Sequence, residues 1–157
     1  MDLKDKIPPH NLEAEQATLG AMLLDWSSVS DVITYLRSDR FYSQQNQIIF
    51  DAMMSLLSRG VKGDLLTLID ELTKTGKLDA AGGVSYISSL TDVVPTAANV
   101  DYYAKIVLDQ STRRDLIKIS SEIKADSFDE THESRAILED AEQKIFKLTD
   151  MNQSTQV

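Results

Sequence analysis

The sequence predicts an all-α protein, a compact bundle of short helices followed by a long antiparallel helical hairpin. Three observations carry this. Helix-favouring Leu, Ile, Ala, Glu, Lys and Gln are frequent, while Gly (6), Pro (3) and aromatic residues (6%) are few among 157 residues. Before Pro95, apolar residues repeat at helical spacing in five short segments. After Pro95 the texture changes, and residues 97 to about 125 contain neither Pro nor Gly.

The first helix is expected to begin after Asn11, a good N-cap, and to run to about Leu24 with Leu12, Leu19, Met22 and Leu23 on one face. A break follows at Asp25-Trp26-Ser27-Ser28. Val29, Val32, Ile33 and Leu36 then mark a short second helix. Ser38-Asp39-Arg40 reads as a loop with Phe41 and Tyr42 packed under it. Ser43 caps a third helix to Arg59, carrying Ile49, Phe50, Met53, Leu56 and Leu57 and stopped by Gly60. A fourth helix starts at Gly63-Asp64, carries Leu65, Leu68, Ile69 and Leu72, and ends near Gly76. Gly82-Gly83 opens a fifth, through Tyr86, Ile87 and Leu90. These five make a compact bundle.

Val94-Pro95-Thr96 is the junction. Pro95 disfavours helical geometry at Val94, and Thr96 can cap the next helix. Residues 97–125 carry an apolar stripe of Tyr103, Ile106, Val107, Leu116, Ile117, Ile119 and Ile123 over roughly 43 Å of helix. Residues 126–131 are polar and turn-like. A last helix from about Glu130 to Thr149 spaces Leu138, Ala141, Ile145 and Leu148 as the seam of a helix pair. The expected organisation is therefore a flexible lead-in over 1–10, a bundle over 11–95, a hairpin over 96–149 and a disordered tail over 150–157.

A two-helix hairpin cannot bury both of its faces. Ile117, Ile119 and Ile123 cannot all meet one partner helix, because residues two apart point in different directions. The surplus apolar surface calls for a second partner, either the chain's own bundle or another subunit. Self-association is the preferred reading, before any family resemblance is weighed.

Net charge is −9, and the deficit is shared, −5 over residues 1–100 and −4 over 101–157. Neither part has the Lys and Arg excess that a phosphate-binding surface needs, so strong direct nucleic-acid binding is not expected. Cysteine is absent, which removes disulfides and thiolate metal sites and suits a reducing cytoplasm. No apolar run approaches the roughly 18 residues needed to span a bilayer, and the first residues lack a signal core, so no membrane partner is expected.

Catalytic chemistry is not legible. Gly76-Lys77 resembles the end of a phosphate loop, but Leu78 stands where Ser or Thr is required and Glu71 where the first glycine should be. The cluster Asp126, Asp129, Glu130, His132 and Glu133 lacks calcium-loop spacing, and His10 and His132 have no His partner at metal-binding spacing. It reads as a solvated loop with an acidic first helical turn. Asp70-Glu71 and Glu139-Asp140 read as exposed faces. Tyr102-Tyr103 on a helix point about 100° apart, one toward a core and one toward an interface. No catalytic, cofactor or metal residues are assigned, and no enzyme is expected in this chain.

Five ordered segments carry a family resemblance. Ile7-Pro8-Pro9-His10-Asn11-Leu12-Glu13-Ala14-Glu15-Gln16-Ala17-Thr18-Leu19-Gly20-Ala21-Met22-Leu23-Leu24-Asp25 resembles the opening of bacterial DnaB-type replicative DNA helicases. Phe41-Tyr42 with Gln47-Ile48-Ile49-Phe50 is similar to the family's aromatic pair and following helix. Gly82-Gly83-Val84-Ser85-Tyr86-Ile87, then Val94-Pro95-Thr96-Ala97-Ala98-Asn99-Val100 and Tyr102-Tyr103-Ala104-Lys105-Ile106-Val107, match its next landmarks in order. The resemblance spans roughly residues 7–149.

That resemblance implies the amino-terminal domain of an ATP-dependent helicase, without the RecA-like motor that would hold ATP and magnesium. It implies a collar of paired subunits, a trimer of dimers in a hexamer, that receives the carboxy-terminal domain of DNA primase. A helicase loader is a further implied partner, and the bacterial cytoplasm the implied location. Two departures stand out. Trp26 occupies a position where the family often has proline, and Arg113-Arg114-Asp115 precedes Leu116-Ile117 where many members place two basic residues directly. The candidate interface residues are Tyr102, Tyr103, Ile106, Arg114, Leu116, Ile117, Ile123, Leu138 and Ile145. The competing readings are a stand-alone helical protein-interaction domain, a DNA-binding domain and a small nucleotide-binding enzyme.

Overall fold

The computed structural model describes residues 6–94 and 98–153, the last two by backbone alone. Expectations that fell on residues 1–5, on Pro95 and Thr96, and on 154–157 lie outside the described residues. Seven α-helices and three short 3-10 turns make up the regular structure described, with no strand among it. Two compact units are distinguished among the described residues: one within His10–Leu108, and one of residues 6–9 together with 109–153.

In the first unit, α1 (Leu12–Leu24) starts where its cap dictates. The Asn11 side chain accepts from the Ala14 amide at 3.0 Å. A one-faced amphipathic helix was expected, yet α1 is buried almost all round from Ala14 to Leu23, while Leu12 at its start is exposed. Small residues permit this. A Cβ added to Gly20 would lie 2.0 Å from the Leu90 carbonyl oxygen, so the 3-10 turn Leu90–Asp92 packs directly against the helix backbone.

Asp25 ends α1 and caps the 3-10 turn Trp26–Ser28, accepting from the Ser27 amide at 3.1 Å. The single-turn α2 (Val29–Val32) buries Val29 and Val32 and leaves Ile33 outside. Phe41 is buried after the 3-10 turn Ser38–Arg40 and meets Phe50 at 5.2 Å between ring centroids. Tyr42 departs from expectation. It is exposed, with its ring stacked on His10 at 4.1 Å.

Ser43 caps α3 (Gln44–Ser58), which buries Ile49, Phe50, Met53 and Leu56. Its amino terminus has a second anchor that sequence alone did not reveal. Glu15 of α1, buried to 1% exposure, accepts from the Tyr42 amide (2.9 Å), the Ser43 amide (3.2 Å) and the Asn46 side-chain amide (2.9 Å). A carboxylate at a helix amino terminus is favourably placed against the helix dipole. The Tyr86 hydroxyl of α5 (Gly83–Ser89) donates to the other end of the Asn46 amide, tying three helices together.

Gly60 and Gly76 take φ of +71° after α3 and after α4 (Leu65–Lys74), the left-handed stop each position requires. Asp64 and Thr67 close a reciprocal capping box at the start of α4. A buried Glu71 on α4 takes an ion pair from Arg59 and a hydrogen bond from Ser55 at 3.2 Å, joining α4 to the end of α3. Gly82 (φ +102°) precedes α5 (Gly83–Ser89).

The long helix α6 (Val100–Phe128) begins and ends about three residues later than the sequence suggested. The division between units falls within it, at Leu108, and not at Pro95. The reason is burial: Val100, Ala104 and Val107 join the bundle core. Asp101 on its first turn accepts from the Tyr35 hydroxyl and pairs with Lys105 at 3.0 Å. Burial and the adjacent Asp101 push the Tyr35 phenol up, and the Tyr35 bond holds the Asp101 carboxyl below its ordinary range.

Candidate assembly surface

The second unit is the hairpin, the distal part of α6 with α7 (Ser134–Gln153). At its tip Asp129 accepts from the Thr131 hydroxyl (2.6 Å) and the Thr131 amide (3.0 Å), and His132 lies 3.4 Å from the same carboxylate. The Thr131 hydroxyl and amide hold the Asp129 carboxyl below its ordinary range. This side-chain turn consumes residues 129–133, so α7 begins at Ser134 and not at Glu130. Asp129, Glu130 and Glu133 therefore sit in the loop, Asp126 lies in the last turn of α6, and the first turn of α7 carries no acidic residue. At the other end α7 continues to Gln153, so residues 150–153 are helical where a disordered tail was expected.

The seam also differs from the sequence pattern. Buried Leu148 and half-buried Ile137, Ala141 and Lys144 face inward at steps of four, three and four, while Leu138 (63% exposed) and Ile145 (41%) lie outside. A lysine stands where an apolar residue was expected because it is doubly paired. The Lys144 ammonium lies 2.8 Å from Glu122 of α6 and 2.9 Å from Asp140 on its own helix. The bonds to Glu122 and Asp140 raise the ammonium above its ordinary value. Sequence periodicity cannot see this pairing across helices.

On another side of the hairpin Leu116, Ile117, Ile119, Ser120 and Ile123 of α6 and Ile145 of α7 line a groove of about 380 Å³. Its one polar member is neutralised locally, because the Ser120 hydroxyl donates to the Ile117 carbonyl at 2.8 Å. The groove thus offers apolar surface with no donor or acceptor needing a partner, which suits a hydrophobic contact and no small polar ligand.

The structure therefore brings Leu116, Ile117, Ile123 and Ile145 of the candidate residues together. Leu138 is on α7 but outside the groove lining. Arg114 is engaged elsewhere, its guanidinium donating to the Pro9 carbonyl at 2.8 Å. Tyr102, Tyr103 and Ile106 belong to the bundle unit. Tyr102 is exposed, its ring edge-on to Tyr103 at 6.0 Å. Tyr103 and Ile106 pack against the bundle core and border a cleft of about 270 Å³ with Asn11, Glu13, Ala14, Ala17, Val93 and Val94.

Sequence reasoning missed Phe146 (70% exposed) and Phe128 (79% exposed), the two most exposed aromatics of the hairpin. A signal existed for the first. Ile145 and Phe146 are adjacent and so about 100° apart on the helix, and one seam cannot take both. Among the described residues no helix is long and apolar enough to cross a membrane.

Comparisons with known proteins converge. The family model for the DnaB-like helicase N-terminal domain matches residues 7–109. The chain is 47% identical over 148 residues to the replicative DNA helicase DnaB of Treponema pallidum, covering 94% of this chain and 34% of that protein. It is 41% identical over 150 residues to DnaB of Geobacillus stearothermophilus, covering 96% and 33%. The chain thus spans about a third of the length of the curated relatives it matches. Among solved structures, the N-terminal domain of DnaB helicase from Mycobacterium tuberculosis superposes with a TM-score of 0.82 at 34% identity, covering 90% of this chain and 99% of that one. A DnaB-like replicative helicase, described with its interactions with primase, shares the fold with a TM-score of 0.71 at 20% identity, covering 88% and 31%.

Proposed function

The chain belongs to the family of DnaB-like helicase N-terminal domains, and on that footing we propose that it serves as the collar of a hexameric replicative helicase. In this reading the hairpin pairs subunits, the pairs build a trimer of dimers, and the collar receives the carboxy-terminal domain of primase. ATP and magnesium belong to a RecA-like motor outside these residues, a helicase loader is a further partner, and the setting is the bacterial cytoplasm.

The observation that carries the reading is the apolar groove on the hairpin, open to water along Leu116, Ile117 and Ile145. Exposed apolar surface of this kind marks an interaction site when it is contiguous. A second copy is the simplest cover, because a two-fold contact uses one self-complementary patch on both subunits. The net charge of −9 gives no support to a direct grip on nucleic acid.

The test is mass by light scattering over a concentration series, alone and with the primase carboxy-terminal domain. Self-association is expected, together with a further mass increase on adding primase. Ile117→Glu and Ile123→Glu are each expected to weaken self-association by tenfold or more, about 1.4 kcal/mol, with helix content retained. A strict monomer at high concentration, or unchanged association in both variants, would remove the pairing assignment.

A further inference from the structure

Arg113 and Arg114 are neighbours with different partners. Arg113 is exposed and pairs along its own helix with Asp109 at 2.9 Å. Arg114 is half-buried and reaches across 105 positions of sequence to the Pro9 carbonyl at 2.8 Å. Residues 6–9 accordingly group with the hairpin and not with the bundle whose first helix they precede.

The chemistry of the segment suits a strap. Pro8 and Pro9 have no backbone N–H and fixed φ, so this half of the segment offers only backbone acceptors and loses little freedom on docking. The Pro9 carbonyl is such an acceptor, and a guanidinium is a planar multi-donor matched to it. Ile7 stands 73% exposed on the strap, its side chain turned to water.

We propose that residues 6–9 form a strap latched to α6 by Arg114, ordered against the helix while the guanidinium holds the Pro9 carbonyl and released when it is removed. Arg114 is then a positioning residue, its guanidinium donating to the Pro9 carbonyl. The inference does not depend on hairpin pairing, because its readout is local.

The absence of cysteine allows a clean probe. Ile7→Cys carrying a nitroxide is compared in the parent chain and with Arg114→Ala, by electron paramagnetic resonance and circular dichroism. The parent should show restricted motion. Arg114→Ala should shorten the correlation time by about threefold or more, toward the nanosecond motion of a free terminus, with helix content unchanged, and Arg114→Lys should fall between. Fast motion already in the parent, or identical line shapes in the parent and Arg114→Ala, would overturn the latch. Should Arg114→Ala lose helix, Arg114→Gln is judged by the same line-shape criterion.

Discussion

Along α1 every residue from Ala14 to Leu23 except Gln16 is buried, whereas along α7 Leu148 alone is buried among the side chains described. Both are helices with comparable numbers of apolar residues. The bundle surrounds α1 with α3 and the turns that flank α2 and α5, and closes its own core. The hairpin has one seam, held as much by the ions Lys144, Glu122 and Asp140 as by apolar contact, and keeps Leu116, Ile117, Leu138, Ile145 and Phe146 in water. The contrast separates two sources of order. One unit is stabilised from within, and the other leaves much of its apolar surface exposed.

Two phenylalanines give the largest contrast. Phe50 is buried to 1% and Phe146 is 70% exposed. Phe50→Ala should cost about 3–5 kcal/mol in urea unfolding, while Phe146→Ala in the unassociated chain should stay within about 0.5 kcal/mol. Equal costs would break the comparison.

A smaller effect is expected at the bundle's capping box. Asp64→Ala removes the acceptor of the Thr67 amide and should cost about 1 kcal/mol at neutral pH. Because that amide holds the Asp64 carboxyl low, the contribution is present above the ordinary aspartate value near 3.9 and fades as pH falls through the lowered folded value. The variant and parent should therefore converge in acid unfolding curves; a gap that persists at the acid end would refute the assignment.

The smallest effect sharpens the hairpin side. Lys144 is raised by Glu122 and Asp140, so its contribution is full below the ordinary lysine value of about 10.4 and is lost as pH rises through the higher folded value. Lys144→Met should flatten the alkaline loss of hairpin helicity measured by circular dichroism. It should also reduce its salt sensitivity, since exposed pairs are screened. An unchanged alkaline profile would show that the seam does not rely on this lysine.

Much of the fold was readable from local chemistry. Asn11, Ser43, Asp64 and the glycines at 60, 76 and 82 announce their helix ends because capping and positive φ involve only a few consecutive residues. The candidate surface was readable in part. Ile117 and Ile123 fell in the groove with Leu116 and Ile145, while Arg114 was engaged by Pro9 and Phe146 was overlooked.

By itself, then, the sequence determined the helical class, most helix limits, the break between bundle and hairpin textures, and the family. Tertiary structure decided which side of α7 meets α6, why the bundle extends to Leu108, why Glu15 is buried against the amino terminus of α3, and where the hairpin exposes its apolar groove. The physical reason is range. Caps and periodicity are settled within one or two turns of chain, whereas burial and ion pairing depend on what stands opposite. Lys144 shows the difference: at a seam position it is unfavourable by type and favourable because Glu122 faces it from the other helix and Asp140 from its own.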